Sequence, residues 1–261
     1  MLLRQCALEV FMPHKSPLFA PDASLHDLME LAGRKYALEF EPVSAGGVTL
    51  DILQIANMRE ILDKAIAQNA LEDAVHTLPL WAKIWPASVL LAHVVSQLPR
   101  AGRNVLEIGA GCGLTGLMAA AFGFERVLIS DINEDALLFA RINILKNGLE
   151  KQAEIRRVDI RTDAPSDTPG ERFSLVLGSE ILYLDYLYRP LVKFLSRHMA
   201  ASGEALLACD HRRGAKGFFK RAEKEFTLAH KQIAFGEKNT ESERPERHML
   251  GIHRLTPRKS I

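Results

Sequence analysis

Residues 105–116 read Val105-Leu106-Glu107-Ile108-Gly109-Ala110-Gly111-Cys112-Gly113-Leu114-Thr115-Gly116. A short apolar run, Val105–Ile108, leads into closely spaced glycines, and these lead into an apolar stretch, Leu114–Phe122, of helical character. Glycine lets the chain turn sharply and brings the backbone close to a ligand with no Cβ in the way. A strand, a tight turn and a helix in this order form the opening unit of a parallel sheet, so the rest of the chain should alternate in the same way.

Downstream it does. Val127–Ser130 reads as a strand, and Asn133 as the cap of a helix over 134–146, with Glu134 and Asp135 suited to its positive first turn and Gly148 as its stop. Ala153–Val158, Ser174–Ser179 and Glu204–Cys209 are further strands. Helices are predicted over 186–199, capped by Asp185, and over 214–224. Phe226–Ala234 and Met249–Leu255 are the last two strands. Upstream, Pro86 opens a helix that runs to Gln97. The fold class is α/β: a doubly wound, mostly parallel sheet of seven strands with an antiparallel C-terminal strand. Before it lies a small α+β extension. Tyr36–Val43 and Val48–Ile52 flank Ser44-Ala45-Gly46-Gly47 as a hairpin, and an amphipathic helix covers 55–70. Residues 1–35, broken by Pro13, Pro17 and Pro21, are predicted to be irregular. Residues 1–75 are therefore read as an extension that caps the cofactor and helps choose the substrate, and 76–261 as the main domain.

The composition is that of an ordinary globular chain: 261 residues, 48% hydrophobic, 25% charged, net charge +1. No apolar run reaches the roughly 18 residues of a membrane-spanning helix. The start, Met1-Leu-Leu-Arg-Gln-Cys, lacks the pattern of a secretory leader. Cys6, Cys112 and Cys209 are too scattered for a disulfide framework, which favours a reducing cytoplasm. His76, His93 and His198 show no metal-ligand spacing, so no metal is expected. Residues 211–261 carry 13 Lys/Arg against 6 Asp/Glu, a net of +7 that keeps a nucleic-acid substrate in view, although a solvated face accounts for it more simply.

Ligands of such sheets sit beyond the carboxyl ends of the strands, which selects Gly109–Gly113, Asp131, Asp159 and Ser179–Tyr183. Gly111-x-Gly113-x-x-Gly116 with Asp131 downstream also satisfies a dinucleotide fingerprint, so a nicotinamide-dependent oxidoreductase stays open. Glu107 opposes that reading, because its charge would repel a pyrophosphate. Cys112 has no evident histidine partner and is not read as a nucleophile.

Glu107-x-Gly109-x-Gly111-x-Gly113 closely resembles the first motif of class I, seven-β-strand, S-adenosylmethionine-dependent methyltransferases, whose fold is Rossmann-like. The resemblance implies that the loop of Glu107, Gly109, Ala110, Gly111 and Gly113 wraps the methionine part of the cofactor. Glu107 would fix that loop by accepting backbone N–H bonds. Asp131, followed by Ile132, would hold the ribose hydroxyls, for which two carboxylate oxygens are well suited. Three further stretches, Leu80-Trp81-Ala82-Lys83-Ile84-Trp85-Pro86, Leu177-Gly178-Ser179-Glu180-Ile181-Leu182-Tyr183 and Leu206-Leu207-Ala208-Cys209-Asp210-His211-Arg212, are similar to methyltransferase family 16, the protein-lysine methyltransferases. By that resemblance Trp85 packs near the cofactor, with Trp81 as packing or pocket wall, and Ser179 contacts the adenosine through its backbone. Ile160 lies on the adenine face and Asp159 accepts from the adenine amino group. Glu180 and Tyr183 are the catalytic pair. The chain has Glu180-Ile-Leu-Tyr183 where the family usually has Asp-x-x-Tyr, so its acid reaches one methylene further. His211 and Arg212 could face substrate. The expected reaction moves a methyl group from S-adenosylmethionine to a lysine amine of a protein, leaving S-adenosylhomocysteine. A methyltransferase acting on RNA or a small molecule is the alternative. The absence of prolines in Ser179–Tyr183 argues against exocyclic base amines. The sequence says nothing about the oligomeric state.

Overall fold

The computed structural model describes residues 18, 20, 22–67, 78–162, 171–210, 215–237 and 246–258, without the side chains of 65, 66, 235–237 and 246–248. His211, Arg212, Arg213, Cys6, His76 and the start of the helix expected at 214 lie outside the described residues.

The segment expected to be irregular contains a helix, α1 (Leu25–Gly33). Ser24 Oγ accepts the Asp27 N–H and the Asp27 carboxylate accepts the Ser24 N–H, each at 3.2 Å. This reciprocal cap satisfies two orphan donors and lets a short helix form. Strands β1 (Leu38–Ala45) and β2 (Val48–Ile55) make the expected antiparallel hairpin. Its turn is tighter than the four-residue reading. Gly46 and Gly47, at φ +55° and +84°, make it alone, as a two-residue turn with both positions left-handed requires. The helix predicted over 55–70 is α2 (Met58–Ala67).

Pro86 stands in the first turn of α3 (Pro86–Ser96). Then come β3 (Asn104–Ile108), α4 (Leu114–Ala121), β4 (Arg126–Asp131), α5 (Glu134–Lys146), β5 (Ala153–Arg157) and β6 (Phe173–Ser179). Asn133 caps α5 as predicted, its Oδ1 accepting the N–H groups of Asp135 and Ala136 at 2.8 and 3.2 Å. The chain continues through α6 (Tyr188–His198), β7 (Met199–Asp210), α7 (Lys216–Ala222), β8 (Phe226–Glu237) and β9 (Glu246–Pro257). Asp185 does not cap α6. A 3-10 turn, Asp185–Leu187, intervenes, and Leu187 takes the cap position with no side-chain bond. Pro190 in the first turn lacks the N–H that a cap would satisfy.

The seven-stranded sheet has the order β5-β4-β3-β6-β7-β9-β8. The first five strands are mutually parallel, and β9 runs antiparallel to both of its neighbours. Strand order therefore reverses direction at β3, and a crevice opens beyond the carboxyl ends of β3 and β6. Both sheet faces are covered, as a parallel sheet requires. On one face the core joins Leu91, Leu117 and Phe139 with Leu28, Ile52 and Leu53 of the N-terminal segment. On the other, Leu191, Leu195 and Phe218 of α6 and α7 pack on Leu106, Val176 and Leu207. The hairpin and α1 thus share a core with the first face.

Candidate active site

A cleft of about 510 Å³ lies at the switch point, within the usual size of a small-molecule site. Trp85, Glu107, Gly109, Ala110, Gly111, Asp131, Ile132, Asp159, Ile160, Ser179, Glu180 and Tyr183 all line it. Gly113 is the one candidate that does not. It sits behind the loop at φ +83° as the residue before α4, where a Cβ would lie 3.2 Å from Ala140 and Ile129 side chains. Leu78, Leu80, Trp81, Lys83, Arg161, Leu184, Tyr186 and Leu187 also line the cleft. Except for Trp81, the sequence did not single these out. They come from connections whose apolar residues carry no periodic signal. Among the described residues before Leu78, none lines the cleft.

The glycine loop is held from several directions. Glu107, buried on β3, accepts the Gly116 N–H at 2.8 Å in the first turn of α4. The bond ties β3 to the helix that follows the glycine loop. The third glycine of the dinucleotide fingerprint therefore lies against a carboxylate, not an open phosphate site: a Cβ at Gly116 would sit 2.7 Å from Glu107 Oε2. Asp131, at the end of β4, accepts the Gly111 N–H on one oxygen and the Asn133 N–H on the other, both at 2.9 Å. Each oxygen keeps a lone pair for a hydroxyl presented from the cleft. Gly111 is packed against backbone. A Cβ there would approach the Trp81 carbonyl oxygen to 2.4 Å. Gly109 meets the Ile181 side chain in the same way, at 2.7 Å. Both glycines stand at positive φ.

Burial sets the electrostatics here. It pushes the Glu107 carboxyl up to about 7 against the pull of the Gly116 N–H, and the charge of Asp131 pushes the same way. Burial also raises Asp131 above the usual carboxylate range. The Cys112 thiol is pushed up to about 12 by burial first and Glu107 second, so it is no nucleophile at neutral pH. A carboxyl whose folded pKa is raised binds its proton more tightly when folded. Its stabilising contribution is full below about 4.5 and is lost as pH rises through about 7. Glu107→Gln keeps an oxygen for the Gly116 N–H but has no charge to bury. We expect the variant to stay within about 1 kcal/mol of the wild type at pH 5 and to exceed it by about 3 kcal/mol at pH 8 in denaturant titrations. Equal stability differences at the two pH values would refute the assignment.

The other wall begins at Glu180. Its φ is +55°, and among the described residues it is the sole non-glycine with positive φ. Such a backbone costs about 1 kcal/mol, a strain that proteins keep mainly at functional positions. Its N–H donates to the Ala208 carbonyl at 2.8 Å, and its Oε1 accepts the Asp210 N–H at 3.0 Å, which pins the carboxylate between the ends of β6 and β7. Tyr183 and Tyr186 follow at the mouth, 47% and 60% exposed. Across the cleft, Trp85 Nε1 donates to the Leu80 carbonyl at 3.1 Å, and Lys83 lies over the Trp85 ring. Trp81 packs edge-on against Phe139 and Tyr36 and lines the pocket as well, so both readings of it hold. Asp159 is engaged by Arg161, at 2.7 Å from one nitrogen and 2.9 Å from another, and this ion pair holds its carboxyl below the usual range. An adenine amino group would have to share it.

A family model described as lysine methyltransferase matches residues 72–226, more than half of the chain. The chain belongs to the lysine methyltransferase family. This lysine methyltransferase is 30% identical over 154 residues to the protein N-lysine methyltransferase METTL21A of Mus musculus, a match covering 57% of this chain and 69% of the relative. It is 27% identical to the electron transfer flavoprotein beta subunit lysine methyltransferase of the same species, over 51% of this chain and half the length of that relative. Its fold is shared with a SAM-dependent O-methyltransferase of Thermotoga maritima, with TM-score 0.52 at 13% identity over 85% of this chain and 79% of that one. The lysine methyltransferase is thus an S-adenosylmethionine-dependent enzyme, and the oxidoreductase reading falls away. The residues present fit the cofactor. Gly109, Ala110 and Gly111 line the cleft beside Asp131, which has acceptor capacity for a diol, and the buried Ser179 Oγ, in the cleft wall, has no hydrogen-bond partner among the described residues. Among the described residues there is no metal-binding group and no helix long and apolar enough to cross a membrane.

Proposed function

We propose that this enzyme methylates a lysine side chain of a protein, with residues 105–132 holding S-adenosylmethionine and Glu180 and Tyr183 serving the amine. The observation that carries the reading is the acid held at positive φ in the cleft wall, three residues before a mouth-lining tyrosine. When bound, the cofactor supplies a methyl group on an electrophilic sulfonium and leaves as S-adenosylhomocysteine. Gly109–Gly111 and Asp131 fix its methionine and ribose parts, Ser179, Ile132 and Ile160 bound the adenosine, and Trp85 closes the side. Glu180 receives the substrate ammonium and takes its proton at a carboxylate oxygen. Tyr183 orients the neutral amine by a hydrogen bond and helps exclude water. The tyrosines and leucines at the mouth suit the backbone and side chains that flank a lysine in a protein. Cys112 is a buried free thiol, which supports a reducing, cytoplasmic setting.

The test uses S-adenosylmethionine labelled on its methyl group, incubated with the purified enzyme and cell extract, and then treated with protease or ribonuclease. We expect a discrete protease-sensitive band whose hydrolysate contains methyl-lysine. Label confined to ribonuclease-sensitive or small-molecule material would replace the protein substrate with the RNA or small-molecule alternative.

A further inference from the structure

Asn143 lies on α5 with no exposed surface, surrounded by apolar side chains. A buried amide must find partners for its carbonyl and its NH2 group, or the burial is costly. Its partners come from two distant parts of the chain. Oδ1 accepts the Leu53 N–H of β2 at 2.8 Å, and Nδ2 donates to the Cys112 carbonyl of the glycine loop at 3.0 Å. The N–H of Cys112 donates in turn to the Trp81 carbonyl, also at 3.0 Å. Cys112 is therefore held through both its backbone N–H and its carbonyl. Trp81 itself leans on Tyr36, which precedes β1 and whose hydroxyl donates to Asp135 at the start of α5.

We propose that Asn143 is a positioning residue through which the N-terminal hairpin sets the glycine loop for S-adenosylmethionine, so that residues before 76 act on cofactor affinity from behind the loop. This rests on the reading that the loop binds the cofactor. Asn147, at the C-terminal cap of α5, provides a contrast. It docks the same strand by two bonds to the Asp51 backbone, at 2.9 and 3.0 Å, but makes no bond to the loop.

Calorimetric titration of the full chain with S-adenosylhomocysteine tests this, together with steady-state kinetics at saturating protein substrate. Asn143→Ala, and Asn143→Leu, which keeps the volume, should each weaken binding about tenfold, the loss of one well-placed buried bond. The KM for S-adenosylmethionine should rise in step while kcat stays within about twofold, a split that mere loss of stability does not produce. Asn147→Ala should bind like the wild type. Asp131→Asn is included as a check on the site itself. If Asp131→Asn loses affinity while both Asn143 variants bind normally, Asn143 is not a positioning residue. Equal weakening by Asn147→Ala also overturns the proposal. If Asp131→Asn binds normally, the fault lies in the underlying cofactor site.

Discussion

Glu180→Gln should lower methyl transfer by roughly a hundredfold to ten-thousandfold at pH 7.5, the range for loss of a positioned acid–base group, while leaving S-adenosylhomocysteine affinity within about threefold. An exposed lysine, with a pKa of about 10.4, is neutral in roughly one molecule per thousand at that pH. The carboxylate's task is to draw in the ammonium and remove its proton. Glutamine keeps an oxygen for the Asp210 N–H, so the junction of β6 and β7 should survive the change. The variant depends on amine deprotonated in solution. Its rate should therefore climb about tenfold per pH unit between 7.5 and 9.5, more steeply than that of the wild type. Wild-type turnover at pH 7.5 would remove Glu180 from the chemistry.

Gly111→Ala should have the second large effect, and it should fall on the cofactor. The new methyl meets a carbonyl oxygen at 2.4 Å, and that oxygen cannot swing aside because it belongs to the Trp81 backbone and accepts the Cys112 N–H. The left-handed φ of +56° adds about 1 kcal/mol for any residue with a Cβ. The loop must shift away from Asp131. Affinity for S-adenosylhomocysteine should fall about a hundredfold, and the melting temperature by about 5 °C. Calorimetry and thermal melts read both. Normal binding by this variant would mean that the loop does not cradle the cofactor.

Much of the sheet is legible from local patterning, because its strands are continuous apolar runs and its first turns carry glycine or a capping Asn133. Helix α1 escapes that reading because its signal is a single reciprocal cap, Ser24 with Asp27, in a proline-broken region. Asp185 misleads because turn and cap signals share the same residue types, and Pro190 decides between them. In the site, topology alone brings the residues past each strand end into one cleft. What sequence spacing does not convey is partnership over long separations. Asn143 joins residues 90 positions and 31 positions away, and Asp131 holds an amide 20 positions upstream. A lone polar residue inside the buried face of α5 was the only hint. Arg161 beside Asp159 gives no sign in the sequence that it pairs with it.

The two walls of the cleft are built on different terms. The loop wall is locked by Asp131, Glu107, Trp81 and Asn143, each bonded to backbone. The opposite lip, from Tyr183 to Leu187, is one short connection whose tyrosines stand in solvent. Substitutions in the first wall disturb the fold and the cofactor together, so drift there is closed to selection. Substitutions at Leu184 and Tyr186 touch none of the bonds that lock the loop. Changes of protein substrate are therefore expected at Leu184, Tyr186 and Leu187, with Tyr183 kept for the amine.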